Sequence, residues 1–296
     1  MDAHRMLDPT AWLGFAPLLA AGLLLYIAAL TAVTLRMLRH PPRKTYGWAV
    51  ARGVAGDPSE LATPRRFERW TFSRAGLEFE VWDIAGDRPG GPVVVVTHGW
   101  GGSRVEMLSR VPAIVPASSR IILWDMPGCG ETGGACTLGG REPADLLALL
   151  GVVDQPAVLL GHSFGAEVSL RAAVSAERLV RGLILEGPYR RGITPAKNIL
   201  RAAGFPHRVN LPLAMAIIAM SNRERPRWKG GDLASIPIGD TPVLTLHGSA
   251  DRVCPPEEAR SFPGEFVLVE GAGHNDVFGH EQAAEHARAF LDRMSG

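Results

Sequence analysis

The chain has 296 residues, 46% of them hydrophobic, with 34 glycines, enough to bury a full core in one large α/β domain or two smaller ones. Its 31 Lys+Arg against 30 Asp+Glu exclude a nucleic-acid grip built on bulk positive charge and an acidic, disordered chain. Three cysteines are too few, and odd in number, for a disulfide scaffold.

The near-neutral total conceals a split. Residues 1–56 carry Arg5, Arg36, Arg39, Arg43, Lys44 and Arg52 against Asp2 and Asp8, a net +4 that leaves −3 for the other 240. From Pro9 to Leu35 run 27 residues without a charge, mostly Ala, Leu, Ile and Val. At about 1.5 Å per residue such a helix exceeds the ~30 Å hydrocarbon core of a bilayer. Trp12 sits near one end, where an amphipathic ring suits the lipid–water boundary, and Tyr26 falls well inside. A cleaved signal peptide is the competing reading, and Ala28, Ala29, Thr31 and Ala32 supply small residues near the end of the run. The stretch before it is not basic overall, however, and the run outlasts the ~7–15 residues of a signal core. A buried core helix seldom continues this far without a polar contact. The expectation is therefore a retained, single-pass anchor. Arg36, Arg39, Arg43, Lys44 and Arg52 follow the span, so the positive-inside rule puts the rest of the chain in the cytoplasm. Unpaired cysteines agree with a reducing compartment.

Pro41-Pro42 stops the helix, and a juxtamembrane stretch continues to about Gly56. Asp57-Pro58-Ser59-Glu60 has the form of a helix start, with Asp57 as cap and Glu60 reaching back. Phe67–Ser73 and Leu77–Ile84 alternate as two strands around a turn at Ala75-Gly76. Six continuous apolar runs follow: Val93–Val96, Ile121–Trp124, Ala157–Leu160, Leu183–Leu185, Val243–Leu246 and Phe266–Val269. Uninterrupted Val, Ile and Leu suit strands buried on both faces. Helical spacing fills the intervals at Arg104–Ile114, Glu142–Leu150, Phe164–Ala176 and Glu281–Met294. The alternation predicts a doubly wound, mostly parallel α/β sheet. One connection, Pro188 to Asp240, is 53 residues long and reads as a lid or cap. It holds expected helices at Pro195–Ala203 and Leu211–Met220, the latter almost wholly apolar, and a basic stretch Arg223–Lys229 with Trp228.

The chemistry gathers where strands end. Thr97-His98-Gly99-Trp100-Gly101-Gly102 follows Val93–Val96 and offers the Trp100 amide to an oxyanion; it lacks the spacing of a phosphate loop. Gly161-His162-Ser163-Phe164-Gly165 joins a strand to a helix as G-x-S-x-G, in which the serine is forced onto a strained turn and its hydroxyl projects from the sheet edge. Ser163 is the expected nucleophile, and the Phe164 amide the second oxyanion donor. A serine needs a base, and the base an acid. His274, in Gly271-Ala272-Gly273-His274-Asn275, follows the last strand and is the expected base. His162, His247, His280 and His286 are read as packing or surface histidines. Asp251 follows Val243–Leu246 and is the expected acid; Glu186, ending the strand after the nucleophile helix, is the alternative. The order Ser163, Asp251, His274 is separated by 88 and 23 residues. Neither C-x-x-C nor His-Glu-x-x-His occurs, so no metal is expected.

From roughly Phe67 to Met294 the chain resembles the α/β-hydrolase fold family of serine hydrolases. The matching pieces are His98-Gly99, Asp125-Met126-Pro127-Gly128-Cys129-Gly130-Glu131-Thr132, Gly161–Gly165, Gly248-Ser249-Ala250-Asp251 and Gly273-His274. Cys129 and Thr132 depart from the commoner form of the second piece, which shapes the site in relatives without supplying the triad. The resemblance implies no cofactor and a cap where 188–240 fall. The expected organisation is an anchor region, 1–56, and a hydrolase domain, 57–296, with its cap at about 188–240. The expected activity is cleavage of a carboxylic ester or thioester through an acyl-enzyme, on a small-molecule ester or acyl substrate, a lipid-derived one as the working hypothesis, with no nucleic-acid partner. An acyltransferase using the same triad and a silent membrane-tethered scaffold are the rivals.

Overall fold

The computed structural model describes residues 9–176, 178–222 and 231–295, with side chains from Phe15 onward. The basic stretch expected at Arg223–Lys229 lies outside the described residues.

The apolar runs form strands because each buries both faces. β1 (Phe67–Arg74) and β2 (Leu77–Ala85) pair antiparallel across the turn at Ala75-Gly76. β3 (Val93–Thr97), β4 (Arg120–Trp124), β5 (Ala157–His162), β6 (Val180–Glu186), β7 (Val243–Gly248) and β8 (Glu265–Val269) complete an eight-stranded sheet in the order β1-β2-β4-β3-β5-β6-β7-β8. From β4 to β8 every pairing is parallel, while β1 and β2 run antiparallel at one edge. Successive side chains of a strand point to opposite faces. Val93 and Val95 accordingly join one core with Leu159, Leu183 and Leu185, and Val94 and Val96 join the other with Leu160, Ile184 and Leu246.

Helices cover both cores. α5 (Glu142–Val153) and α6 (Phe164–Ser175) lie on the first face. α3 (Arg104–Met107), α4 (Val111–Ile114) and α10 (Glu281–Arg293) lie on the second. The single helix expected over Arg104–Ile114 is interrupted by a 3-10 turn at Leu108–Arg110. Pro112 has no N–H to give the preceding turn, which forces the break. A short α9 (Pro256–Ala259) follows β7. At the start of the body Asp57 caps a 3-10 turn by accepting from Ser59 N, and Glu60 reaches back to Gly56 N at 2.8 Å.

Between β6 and β7 the long connection folds into α7 (Ile193–Ala202) and α8 (Asn210–Ser221). Both lean on the first helix of the chain, α1 (Pro9–Arg39), whose segment Phe15–Arg39 is long and apolar enough to cross a membrane. Leu18, Leu19, Leu24 and Leu25 of α1 are exposed, but one face of its last turns is buried: Thr31, Thr34 and Leu38 are buried, and Leu38 shares a cluster with Leu200, Leu211, Ala214 and Ile218. The final carbonyls of α1, which no helical N–H can reach, are taken up by the body. Leu38 O accepts from Trp100 Nε1 at 2.9 Å, and Arg39 O from Cys136 N at 2.9 Å. α2 (Tyr46–Val50) follows Pro41-Pro42.

Candidate active site

The turn carrying Ser163 is built by the absence of side chains around it. A Cβ on Gly161 would run into the backbone of Gly165 and Ala166, and one on Gly165 into the carbonyls of Thr97 and His98. With both glycines, α6 starts hard against β3 and β5. Ser163 is left between strand and helix at φ 52°, ψ −111°, a left-handed strain that only a tightly held residue sustains. Its N–H donates to Glu186 O at 2.8 Å, tying the turn to the end of β6.

The loops after β7 and β8 bring the partners. A Cβ on Gly248 would strike the carbonyls of Ala272 and Gly273, so its bareness lets the two loops touch. His274 Nε2 lies 3.0 Å from Ser163 Oγ, and His274 Nδ1 lies 2.7 Å from Asp251 Oδ2. Facing a carboxylate, Nδ1 carries the proton, which leaves Nε2 free to accept from the serine hydroxyl. Asp251 Oδ1 accepts from Val253 N and Cys254 N, each at 2.8 Å. Burial opposes its charge, yet hydrogen bonds from His247 and His274 hold its carboxyl far below the usual carboxylate range.

Trp100 and Phe164 border the same cavity as Ser163 and His274. Among the described residues no protein acceptor takes either backbone N–H. Two unclaimed amides on the same cavity as a serine hydroxyl are the kind of donors that a developing oxyanion requires. The loop carrying Trp100 is fixed from behind: Met126 N donates to His98 Nε2 at 2.9 Å, and Arg104 N to Asp125 Oδ1 at 2.7 Å. The Arg104 guanidinium pairs with Asp125 and Glu131. Gly130 has φ 48° and no room for a Cβ beside the Asp125 carboxylate, which accounts for glycine there.

Three arrangements escaped the sequence reading. Glu186, the alternative acid, does not meet His274. Its oxygens accept from Arg110 Nη2 at 2.7 Å and Nε at 3.0 Å, and Arg110 Nη2 also donates to Asn275 O at 3.1 Å. A lone arginine in the apolar stretch Leu108–Val115 was the available signal, since a buried arginine requires a partner. His247, taken for a packing residue, lies 3.2 Å from Asp251 Oδ2 while its Nε2–H donates to Cys254 O at 2.8 Å. His162 Nε2 donates to His274 O at 3.0 Å, bracing His274 through its backbone. Burial, reinforced by Arg110, pulls His162 well below the normal imidazole range, and it stays neutral. His286 pairs with Glu265 at 2.8 Å, and His280 precedes α10, both away from the site as expected.

Asp251, Cys254 and His274 bring ligand atoms within 4.8 Å of one another, the one such grouping among the described residues. Burial and then the Asp251 charge push the Cys254 thiol well up, keeping it protonated and a poor metal ligand. Burial likewise pushes Cys129 up to about 12.

The cavity has a volume of about 310 Å³. Its lining mixes polar residues, Lys44, Glu106, His162, Glu167, Arg171 and Asn275, with apolar ones, among them Leu138, Ile193, Leu200, Met215 and Leu233. Lys44 Nζ donates to Glu106 at 2.7 Å, and although burial opposes its charge, Lys44 holds Glu106 below the ordinary range.

Residues 94–291 match the alpha/beta hydrolase family. The chain is 31% identical over 283 residues to the dihydrolipoyllysine-residue acetyltransferase component of the acetoin cleaving system of Pseudomonas putida, covering 82% of this chain and 72% of that one. It is 28% identical over 183 residues to the sn-1-specific diacylglycerol lipase of Mus musculus, covering 55% of this chain and 58% of the relative. Among solved structures, an esterase from Rhodococcus sp. ECU1013 superposes with a TM-score of 0.58 at 20% identity, covering 77% of this chain and 99% of the esterase.

Proposed function

Because the chain belongs to the alpha/beta hydrolase family, we propose that it is a serine hydrolase that cleaves carboxylic esters or thioesters through an acyl-enzyme. The observation that carries this reading is the unbroken relay Asp251–His274–Ser163, at 2.7 and 3.0 Å, beside two unclaimed amides. Ser163 Oγ attacks the substrate carbonyl carbon while its proton moves to His274 Nε2. The carbonyl oxygen, now negative, accepts from Trp100 and Phe164 N–H. Asp251 holds the imidazole tautomer and balances the imidazolium. When the tetrahedral centre collapses, the carbon–oxygen or carbon–sulfur bond breaks and the leaving group takes the proton from His274. Water then attacks the acyl-serine by the same route and frees the acid.

The apolar residues of the cavity, Leu138, Ile193, Leu200, Met215 and Leu233, suit an acyl chain, and the Lys44–Glu106 pair suits a polar leaving group. An ester of a lipid or fatty acid is the substrate class this favours, and a diacylglycerol lipase among the relatives supports it. In this reading α1 is a retained anchor, with residues 57–296 as the hydrolase domain on its cytoplasmic side. Arg36, Arg39, Arg43 and Lys44, close behind the apolar run, support that orientation. Acyl transfer is a second reading, favoured by the acetyltransferase component among the relatives. Incubating the protein with a graded series of acyl esters, with and without competing alcohol, amine or thiol acceptors, separates the two. Free acid as the main product supports hydrolysis; transfer product at limiting acceptor supports the transferase. Turnover of none of the esters contradicts both.

A further inference from the structure

One wall of the Ser163 cavity is the N-terminal helix itself. Thr34, Met37 and Leu38 of α1 line it together with Ser163 and His274. Earlier on the helix, Leu23, Ile27 and Leu30 line a second, open groove of about 590 Å³, bordered on its other side by Phe205 and Val209 and by the polar Arg201, His207 and Arg208. Positions 23, 27, 30, 34 and 37–38 follow the three-and-four spacing that puts side chains on one face of a helix. They form one stripe, facing the cap along its whole length. A buried hydrogen bond links the two linings, Asn210 Nδ2 donating to Thr34 Oγ1 at 2.7 Å: Thr34 borders the cavity and Asn210 the groove.

The stripe holds no charge from α1, and from residue 38 back to residue 23 it extends ~22 Å along the helix. Such a track suits an acyl chain. The chain of an ester dissolved in a bilayer slides onto it from lipid, with no apolar surface crossing water. The end of α1 is also fixed to the reaction centre, because Leu38 O accepts from the indole of Trp100, whose own amide faces the oxyanion position.

We propose that α1 is the acyl-chain wall of the active site. A long-chain, membrane-resident ester enters between α1 and the loop preceding α8, lays its chain along Leu23, Ile27, Leu30, Thr34 and Met37, and presents its carbonyl to Ser163. Its polar leaving group faces Lys44 and Glu106. This rests on the serine hydrolase reading and adds to it a substrate class and a route of access.

The test uses the full chain in phosphatidylcholine nanodiscs, with butyryl and palmitoyl monoesters of glycerol as substrates. Ile27→Trp fills the groove, and the palmitoyl-to-butyryl ratio of kcat/KM falls about tenfold or more, as expected for lost room in an apolar pocket. Leu25 is exposed on the far side of α1, and Leu25→Trp keeps the wild-type ratio. An unchanged ratio in Ile27→Trp, or an equal fall in Leu25→Trp, overturns the proposal. Fluorophosphonate labelling in the same samples tells its failure from that of the hydrolase reading. A labelled, active wild type with an unmoved ratio removes only the α1 wall, whereas an unlabelled, inactive wild type removes both. A second measurement needs no variant. A palmitoyl-length fluorophosphonate bearing a diazirine on its last carbon bonds to Ser163 Oγ as fluoride leaves phosphorus. Irradiation then attaches the chain end to α1 or to residues 205–209; attachment confined to other segments overturns the proposal.

Discussion

In a Glu186→Gln variant the Arg110 guanidinium stays buried but loses its counter-charge. The two side chains are 4% and 0% exposed and meet in a two-pronged ion pair. Removing one partner of such a pair costs about 3–5 kcal/mol, because the other charge is left uncompensated in a medium of low dielectric. Two contacts soften the loss: Arg110 also donates to Ser109 Oγ at 2.7 Å and to Asn275 O at 3.1 Å. The glutamine carbonyl keeps one acceptor as well. The low end, about 3 kcal/mol, is therefore expected. At ~2–4 °C per kcal/mol for a chain of this size, Tm falls by about 6–12 °C. Catalysis is touched only through positioning, since the backbone bond from Ser163 N to Glu186 O survives, and kcat changes by less than about tenfold, or ~1.4 kcal/mol. Asp251→Asn gives the opposite pattern, a loss in kcat on the order of 10⁴ from the wrong imidazole tautomer. Thermal melting and ester hydrolysis, normalised to the fraction that takes a fluorophosphonate label, measure both. The reasoning is refuted if Glu186→Gln loses as much kcat as Asp251→Asn while its Tm stays at the wild-type value. That result would make Glu186 the acid. In the double variant Arg110→Met, Glu186→Leu, part of the lost stability returns, because no charge remains buried alone.

Other outcomes follow from the same geometry. In Gly99→Ala the new methyl meets His162 Nδ1 at 2.8 Å and displaces the loop bearing the Trp100 amide; kcat falls about 10²-fold with little change in KM, and wild-type kcat would contradict the oxyanion assignment. His98 and His162 are both held below the normal imidazole range by burial, so the native state leaves them neutral where the unfolded chain takes up protons. Their stabilisation is complete above about pH 6.5 and is lost as pH falls, by up to ~1.4 kcal/mol per pH unit for each histidine. Guanidinium unfolding midpoints at descending pH values check this, and a flat profile through the imidazole range contradicts it. Asp251, with its native carboxyl below the unfolded value, adds its own loss only under about pH 4.

Much of this was legible in the sequence, and the reasons are local. Val93–Val96 and Ala157–Leu160 carry strand character in every residue, and the residues just past their ends necessarily reach one edge of the sheet. Ser163 announces itself through the two glycines that clear space around it, and His274 through its position directly after β8. What stayed hidden depends on partners distant in the chain. The Asn210–Thr34 bond joins residues 176 positions apart, and the Arg110–Glu186 pair residues 76 apart. Glu186 looked like an acid because it ends a strand at the right edge; only packing reveals that Arg110 claims it. His247 ends a strand, where a histidine reads as packing, yet the turn after β7 folds Asp251 back onto it. Composition marked α1 as a helix long and apolar enough to cross a membrane, and Leu18 and Leu19 are exposed on it. It carried no trace of the last turns becoming a wall of the cavity at Ser163.

The central claim is that Ser163 is the nucleophile, activated by His274. Its most direct test is reaction of the full chain with a fluorophosphonate probe, followed by mass mapping of the adduct, in wild type, Ser163→Ala and His274→Ala. The expected adduct is on Ser163 alone, absent in Ser163→Ala and formed orders of magnitude more slowly in His274→Ala. Equal labelling of wild type and Ser163→Ala would contradict it.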